Sequence, residues 1–241
     1  MAALLKTTRR LGSELFVERE KWKRQRVGGL LTNSIRLIGR NGSLRPLQDV
    51  CALSHVSRVQ VLGVVGSPRR NGNTEILVDE VLAGAQAAGA HTEKVILAEL
   101  KIAPCRGCDT CQTTGKCAQQ DDMPALLEKM KSSQVWVLGT PIYWWGPTAQ
   151  FKAFMDRWYG ASQETFQGRQ VILVIPMGAS DAATAQYTLG MFETALGKKR
   201  IFETILAPGV HQKGAVRKDK AVLTKAREAG QQVTEKIRSK G

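Results

Sequence analysis

From residue 58 onward, short apolar runs rich in valine and isoleucine alternate with longer amphipathic stretches. The apolar runs predict five strands, at residues 59–66, 92–97, 135–140, 169–176 and 199–206. The stretches between and after them predict helices at residues 74–88, 123–132, 148–159, 182–196 and 218–239. This alternation is typical of a parallel sheet that helices cover on both faces. The pattern therefore predicts an α/β fold built on a five-stranded, doubly wound parallel sheet.

The first part of the chain differs from the rest in charge. The 241 residues carry 35 Lys+Arg against 21 Asp+Glu, a net charge of +14 at pH 7. Residues 1–57 hold 11 of the basic and four of the acidic side chains, so under a quarter of the chain carries half of the excess. This difference predicts two regions, a basic N-terminal extension over residues 1–57 and a domain over residues 58–241.

Three interpretations of the extension stay open. Its first turns permit a basic amphipathic helix, so it is a solvated tail, a contact with an anionic surface or nucleic acid, or an organelle transit peptide. Glutamates at positions 14, 18 and 20 disfavour the transit peptide, because such peptides are poor in acidic residues. Beyond Trp22, no aromatic side chain that could stack on bases interleaves with the basic residues, so no nucleic-acid partner is predicted.

Composition and cysteine usage limit the class of protein. A hydrophobic fraction of 43% can fill a core, and each apolar run is interrupted before the roughly 18 residues of a membrane helix, so no membrane span is predicted. Five cysteines, four of them crowded together, and a start without a hydrophobic signal peptide favour a cytoplasmic protein. The histidines are scattered and no Ser-His-Asp or carboxylate pair lies at a predicted strand end, so no catalytic side chain is predicted.

The loop after the first predicted strand carries the residue types that bind a phosphate. It reads Gly-Ser-Pro-Arg-Arg-Asn-Gly-Asn-Thr from Gly66 to Thr74. Backbone N–H groups, hydroxyls, amides, a cation and a helix N-terminus with Asn73 as N-cap would all face the ligand. Ligands of doubly wound sheets bind at the carboxyl ends of the strands, where this loop lies. Neither a Walker A nor a Gly-x-Gly-x-x-Gly pattern is present, and an ordinary polar turn is the alternative.

The loop after the third predicted strand offers flat apolar surfaces. It contains Pro141, Ile142, Tyr143, Trp144 and Trp145. A planar isoalloxazine ring is bound by such surfaces and by backbone groups at its polar edge. Because this loop and the phosphate loop lie at the same edge of the sheet, a flavin is predicted between them, with residues 177–181 as a third side. Packing of the aromatics in the core or at a subunit interface is the alternative.

Four cysteines lie close together on the connection after the second predicted strand. Cys105, Cys108, Cys111 and Cys117 follow the spacing C-x2-C-x2-C-x5-C. Four thiolates at this spacing can surround an iron–sulfur cubane, whose negative charge the neighbouring Arg106 and Lys116 offset. The spacing favours iron–sulfur over zinc, which commonly uses two well-separated C-x2-C pairs. Zinc and free or transiently paired thiols remain alternatives, and Cys51 lies outside the pattern.

Over about residues 58–210, the two loops resemble those of the flavodoxin-like NADPH-dependent FMN reductase superfamily. The first loop is similar to its Gly-Ser-x-Arg turn, and residues 140–143 and 149–157 are similar to its Thr-Pro-x-Tyr and Ala-x-x-Lys-x-Phe-x-Asp-Arg segments. The resemblance implies that the FMN phosphate is held by Ser67, Arg69, Asn71, Asn73 and Thr74. It also implies that residues 141–145 lie beside the flavin. We expect Asp156 and Arg157 to form structural pairs rather than to act as catalysts.

With the cysteine spacing added, the chain resembles the iron-sulfur flavoprotein family, which carries a [4Fe-4S] cluster in a loop inserted into a flavodoxin-like fold. The resemblance implies the four cysteines as metal ligands, FMN as cofactor, NAD(P)H as co-substrate, and a homodimer or homotetramer. The expected function is an FMN-dependent oxidoreductase that passes electrons between NAD(P)H or a reduced carrier and a small-molecule or protein acceptor, with the cluster handling single electrons. A cluster-free NAD(P)H-dependent FMN or quinone reductase and a non-enzymatic electron carrier are the alternatives.

Overall fold

The computed structural model describes residues 58–240 and, before them, two short strands, Leu37–Ile38 and Leu44–Arg45, which pair antiparallel. The other residues of the predicted extension lie outside the described residues, so its amphipathic helix and its role stay predictions. Residues 58–240 belong to one compact unit. All the chemistry predicted from the loops and the cysteines falls within this unit.

Five parallel strands form the sheet of this unit. They are β1 (Gln60–Val65), β2 (His91–Ile96), β3 (Val135–Gly139), β4 (Gln170–Pro176) and β5 (Ile201–Ala207). Each lies within two residues of a predicted strand, and their order across the sheet is β2-β1-β3-β4-β5. The central strands are buried along almost their whole length, as a parallel sheet covered on both faces requires. The predicted flavodoxin-like, doubly wound fold is therefore confirmed.

Six α-helices occur within the described residues. They are α1 (Asn73–Ala87), α2 (Thr110–Thr114), α3 (Met123–Ser132), α4 (Ala149–Asp156), α5 (Gln186–Leu196) and α6 (Lys220–Arg238). The short helix α2, in the cysteine loop, was not predicted, because one turn and a half is too short to show helical periodicity. Helix α4 ends three residues before its predicted end, since the chain tightens into a 3-10 turn over Arg157–Gly160.

The helices cover the two faces of the sheet in two separate cores. Helices α1 and α6 pack on one face, and α3, α4 and α5 pack on the other. Helices α1 and α6 approach each other very closely, because two glycines lie at their crossing. A Cβ atom at Gly84 would lie 1.8 Å from the carbonyl oxygen of Arg227, and one at Gly230 would lie 1.9 Å from that of Val81. The glycines thus allow backbone contact between the two helices.

The winding of the sheet determines where a ligand can bind. The connections run from β1 to opposite sides, so the loops after β1 and β3 diverge at the carboxyl edge of the sheet. Strand β1 ends at Val65 and β3 at Gly139, directly before the two loops that the sequence singled out. In the described part of the chain, no helix has the length and apolar character needed to cross a membrane.

Candidate functional site

A cavity of about 610 Å³ opens at the carboxyl ends of β1, β3, β4 and β5. Its lining consists of Ser67, Arg69, Asn73, Thr74, Pro141, Ile142, Tyr143, Trp144, Trp145, Pro176, Met177, Gly178, Ala179, Thr184, Val210 and His211. Nine of the ten residues that the sequence suggested for cofactor binding therefore line this cavity. The tenth, Asn71, does not line it. Three residues of the segment expected on a third side, 177–179, are also present.

Two buried hydroxyl side chains lie at one end of the cavity. Ser67 follows β1, and Thr74 lies in the first turn of α1. The Ser67 Oγ accepts a hydrogen bond from the Arg69 N–H at 3.2 Å, which leaves the hydroxyl proton available for a ligand. The first amides of α1 have no intrahelical acceptor and point toward the same end. Hydroxyl donors and helix amides together suit an anionic group.

The segment after β5, residues 208–216, fastens the phosphate loop from the side. Arg69 Nη1 donates to the His211 carbonyl at 3.2 Å. The Asn73 amide donates to the Val210 and Gln212 carbonyls at 2.7 and 2.8 Å, and its oxygen accepts the Val216 N–H at 3.1 Å. Both amide protons of Asn73 are therefore used within the protein.

Asn73 was predicted to cap α1, and that prediction is wrong. Gly72 occupies the N-cap position and Asn73 is the first helical residue. Its side chain turns instead to the segment after β5, where it makes three hydrogen bonds. Sequence reasoning missed the cavity residues Val210 and His211, because it followed only the loops after the first, third and fourth strands. The Pro208-Gly209 turn directly after the last strand was the available signal.

A buried carboxylate shapes the tip of the phosphate loop. Glu75 accepts hydrogen bonds from the Asn71 N–H at 2.5 Å and from Lys94 Nζ at 2.9 Å, and Arg70 Nη2 lies 3.6 Å away. Burial alone would raise the pKa of Glu75, but these hydrogen bonds and the two cations hold the pKa below its ordinary value of 4.5. The bond to Asn71 stabilises the left-handed backbone of that residue, whose φ is 54°.

The aromatic loop is a tight turn with an unusual backbone. Tyr143 and Gly146 exchange two backbone hydrogen bonds, at 2.9 and 3.0 Å. Between them, Trp144 and Trp145 have φ values of 51° and 61°. Two-residue turns with positive φ at both positions favour Asn-Gly, and bulky residues there are strained. Trp144 is 91% exposed and Trp145 is 53% exposed, so this strain places a large flat surface at the mouth of the cavity.

Buried threonines connect the phosphate loop to the aromatic loop from below. Thr148 Oγ1 donates to the Gly66 carbonyl at 2.5 Å, and Thr140 Oγ1 accepts the Thr148 N–H at 3.1 Å. The Gly66 N–H donates to the Gly139 carbonyl at 2.7 Å. Thr148 Oγ1 also accepts the Phe151 N–H and so caps α4. The two walls of the cavity are therefore held at a fixed separation by hydrogen bonds that no solvent reaches.

The cysteine loop has a more open construction. Cys105, Cys108 and Cys117 are exposed, and Cys111 is half-buried. The backbone has a left-handed φ at Asp109 and at two glycines, as a winding loop requires. Within residues 58–240, no three Cys, His, Asp or Glu side chains are gathered closely enough to hold a metal ion. The loop therefore contains the four expected thiols, but their sulfur atoms do not converge on one point.

On two of the thiols, hydrogen bonds act together with a positive charge. The hydroxyl and backbone of Thr110 donate to Cys108 and, with the positive charge of Arg106, lower the pKa of that thiol. Arg157 Nη2 donates to Cys117 Sγ at 3.4 Å. Arg157 is also paired with Asp121, and Asp156 is paired with Lys152 on the surface of α4. The expected structural pairs therefore exist, with partners that the sequence did not indicate.

The cavity residues fit FMN. The buried hydroxyls and the α1 amides suit its phosphate, the aromatic turn suits its ring, and the volume lies within the usual range for a cofactor pocket. Comparison with known proteins agrees with this fit, since residues 59–199 match the family described as NADPH-dependent FMN reductase. The chain belongs to the NADPH-dependent FMN reductase family. The match spans the phosphate loop, the cysteine loop and the aromatic loop.

Several curated relatives of this FMN reductase family member are named iron-sulfur flavoproteins. The chain is 43% identical over 99 residues to an iron-sulfur flavoprotein of Methanocaldococcus jannaschii, a match covering 41% of this chain and 51% of the relative. It is 28% identical over 167 residues to an iron-sulfur flavoprotein of Archaeoglobus fulgidus, covering 67% of this chain and 82% of the relative. The chain thus spans about half the length of the first of the curated relatives it matches.

A solved structure shares the fold. The NAD(P)H:quinone oxidoreductase of Methanothermobacter marburgensis superposes with a TM-score of 0.56 at 16% identity, covering 73% of this chain and 98% of that one. At this identity the likeness concerns the arrangement of strands and helices. It agrees with the family match on a flavodoxin-like fold.

Proposed function

We propose that this chain is an NAD(P)H-dependent oxidoreductase that holds FMN in the cavity at the carboxyl edge of its sheet. The observation that carries the proposal is the pairing of two kinds of wall in one cavity of about 610 Å³. One end presents buried hydroxyls and helix amides, and the mouth presents an exposed aromatic turn. A phosphate at one end and a flat ring at the other match this order.

Each wall has a distinct task in binding. Ser67, Thr74 and the first amides of α1 would hold the phosphate, and Arg69 would add a positive charge beside it. Pro141 and the tryptophans would cover the ring and exclude water from one of its faces. Bound FMN supplies the redox chemistry, accepting a hydride from NAD(P)H and passing electrons to an acceptor. We assign no proton-transfer step to a side chain.

We propose further that Cys105, Cys108, Cys111 and Cys117 bind a [4Fe-4S] cluster. The donor set supports this proposal, because four thiols are the usual ligands of such clusters. The names of the Methanocaldococcus and Archaeoglobus relatives support it as well. Arg106 and Lys116 would offset the negative charge of the cluster. The thiols would have to converge when iron and sulfide bind, which the exposed, glycine-containing loop allows.

Anaerobic purification followed by an absorption spectrum tests the proposed flavin. We expect flavin bands and one FMN per chain, or uptake of added FMN by ligand-free protein with quenching of its fluorescence. Oxidation of NADH and NADPH, each followed at 340 nm with a quinone as acceptor, then separates an enzyme from a passive carrier. Protein that neither contains nor takes up FMN would overturn the proposal.

A cluster-free NAD(P)H-dependent FMN or quinone reductase is the second candidate. The exposed, unconverged thiols favour it. Iron and sulfide analysis after anaerobic reconstitution distinguishes the two: four of each per chain supports the cluster, whereas full FMN with no iron supports the second candidate. A homodimer or homotetramer, which the family resemblance implies, is tested by light scattering on the same samples.

A further inference from the structure

Arg157 lies between the cysteine loop and the body of the domain, and its burial is unusual. It follows α4 in the 3-10 turn Arg157–Gly160, and its side chain is only 1% exposed. Burying a guanidinium group is costly unless its donors are used. Asp121, at 9% exposure, supplies the counter-charge through two contacts: Nη1 to Oδ2 at 2.5 Å and Nη2 to Oδ1 at 3.1 Å. This two-pronged geometry is specific to arginine.

The same guanidinium group reaches the other end of the cysteine loop. Nη1 also donates to the Ala103 carbonyl at 2.9 Å. Ala103 precedes the first cysteine and Asp121 follows the last one, and the Ala103 N–H donates to the Asp121 carboxylate at 3.2 Å. The start and the end of the loop are therefore joined on one side chain. Burial disfavours the charged form of Arg157, but the hydrogen bond and charge of Asp121 raise its pKa above the ordinary value.

Cys117 differs from the other three cysteines in what its sulfur contacts. The hydrogen bonds to Cys105, Cys108 and Cys111 come from groups inside the loop itself, at 3.5 to 3.8 Å. The hydrogen bond to Cys117 comes from Arg157, on the turn after α4, at 3.4 Å. Cys117 is thus hydrogen bonded through its sulfur to a side chain from the body of the domain, whereas the hydrogen bonds to the other three thiols come from the loop.

We propose that Arg157 is a positioning residue, which closes the loop from Ala103 to Asp121 and holds the sulfur of Cys117 in a fixed place beside a permanent positive charge. The inference rests on the proposed function in one respect, namely that the cysteines bind a cluster. Cys117 then serves as the ligand that is already held in place, and Cys105, Cys108 and Cys111 converge on it when iron and sulfide bind. Arg157 itself binds no iron.

Amide hydrogen exchange on the reduced, iron-free full-length chain tests the closure of the loop. Arg157→Lys keeps the positive charge but loses the two-pronged hydrogen bonding to Asp121. Asp121→Asn removes the counter-charge. We expect each to speed exchange in peptides from residues 103–121 by about tenfold, measured at labelling times too short for β1 and β4 to exchange in any of the variants. The matched control is Lys152→Gln, which breaks the exposed pair with Asp156 on α4 and leaves residues 103–121 unchanged. Unchanged exchange in both loop variants would overturn the proposal.

Anaerobic reconstitution with iron(II) and sulfide tests the action through Cys117. We expect Arg157→Lys to lose iron to a chelator about fivefold faster than the wild type, and Lys152→Gln to match the wild type. On a Cys117→Ala background, Arg157→Lys should speed the loss of iron by clearly less than fivefold, because one of its two actions is already removed. A further acceleration of the full fivefold would show that Arg157 does not act through Cys117 and would overturn the proposal.

The two tests separate this inference from the proposed function. A wild-type chain that binds FMN and takes up no iron refutes the cluster, and the exchange measurement then decides whether Arg157 closes the loop. A chain that binds iron normally after Arg157→Lys, with a loop that exchanges as in the wild type, refutes the inference and leaves the cluster in place.

Discussion

The cavity at the carboxyl edge of the sheet rests on buried polar side chains, whereas the cysteine loop rests on exposed turns. Below the cavity, Thr140 and Thr148 are fully buried and hydrogen bonded between its two walls. In the cysteine loop, three of the four thiols are exposed and the backbone bends at left-handed residues. Preorganised walls bind a ligand without paying for order at that moment. The walls of the cavity are therefore fixed without a ligand, whereas the cysteine loop would take its final geometry from the cluster that we propose.

Replacing a glycine by alanine in each region gives the largest expected difference in the free energy of unfolding. A Cβ at Gly66 would lie 2.6 Å from the Phe151 ring and 3.0 Å from the Gly139 carbonyl oxygen. Gly66→Ala should lower the free energy of unfolding by about 3 kcal/mol, because rigid groups would have to move. Gly115→Ala has open space and a φ of 71°, so it should cost about 1 kcal/mol. Urea unfolding followed by circular dichroism measures both, and equal costs would contradict the contrast.

Removing the counter-charge of Arg157 tests how firmly the loop is anchored. Asp121→Asn should lower the free energy of unfolding by about 2 kcal/mol at pH 7, because a buried guanidinium group loses its partner. The hydrogen bond and charge of Arg157 outweigh burial and hold the pKa of Asp121 below its ordinary value of 3.8. Its contribution is therefore complete above about pH 5 and is lost as the pH falls through the lowered pKa.

The difference in stability between wild type and Asp121→Asn should accordingly stay constant from about pH 7 to pH 5 and shrink below about pH 4. Urea unfolding at several pH values measures it. The control is Asp156→Asn, whose exposed pair with Lys152 should be worth less than about 0.5 kcal/mol. A difference that grows on acidification would contradict the assignment.

Removing one hydroxyl group from each region tests whether only the cavity contributes to FMN binding. Thr74→Val keeps the shape of a buried cavity residue and removes its donor, so the Kd for FMN should rise about tenfold. Thr113→Val removes an exposed hydroxyl that donates to the Thr110 carbonyl within α2, and the Kd should stay within about twofold. Fluorescence titration of the ligand-free protein measures both. Equal weakening would show that the cavity hydroxyl does not contact the phosphate.

The smallest expected effect concerns the aromatic turn. Replacing Trp144 by Asn and Trp145 by Gly gives the residues that this turn type favours, so the ligand-free protein should gain about 1 kcal/mol. The same change removes the flat surface, and FMN should bind more weakly. Thermal unfolding without FMN and fluorescence titration with it measure the two effects. A variant that is less stable without FMN would show that the tryptophans do not carry strain.

Apolar runs and helical periodicity predicted the elements of the fold, because the central strands are buried on both faces and each long helix buries one face. The five strands lie within two residues of their predicted positions, and nine of ten suggested cofactor residues line one cavity. Hydrogen bonds between segments that are distant in the sequence produce no such pattern, so they could not be predicted. Asparagine is a common N-cap residue, yet the side-chain amide of Asn73 donates hydrogen bonds to carbonyl groups after β5. Arg157 adjoins Asp156 in sequence, yet its counter-charge is Asp121, 36 residues away.

The glycine crossing of α1 and α6 bears on how small a functional fragment of this chain can be. Helix α1 begins at the cavity, which its residues Asn73 and Thr74 line, and its middle rests directly on the backbone of α6. The family match ends at residue 199, before β5, before the cavity residues Val210 and His211, and before α6. A fragment trimmed to the matched residues would lose a wall of the cavity and the support of α1 together. Expression of the domain alone must therefore extend through the last helix.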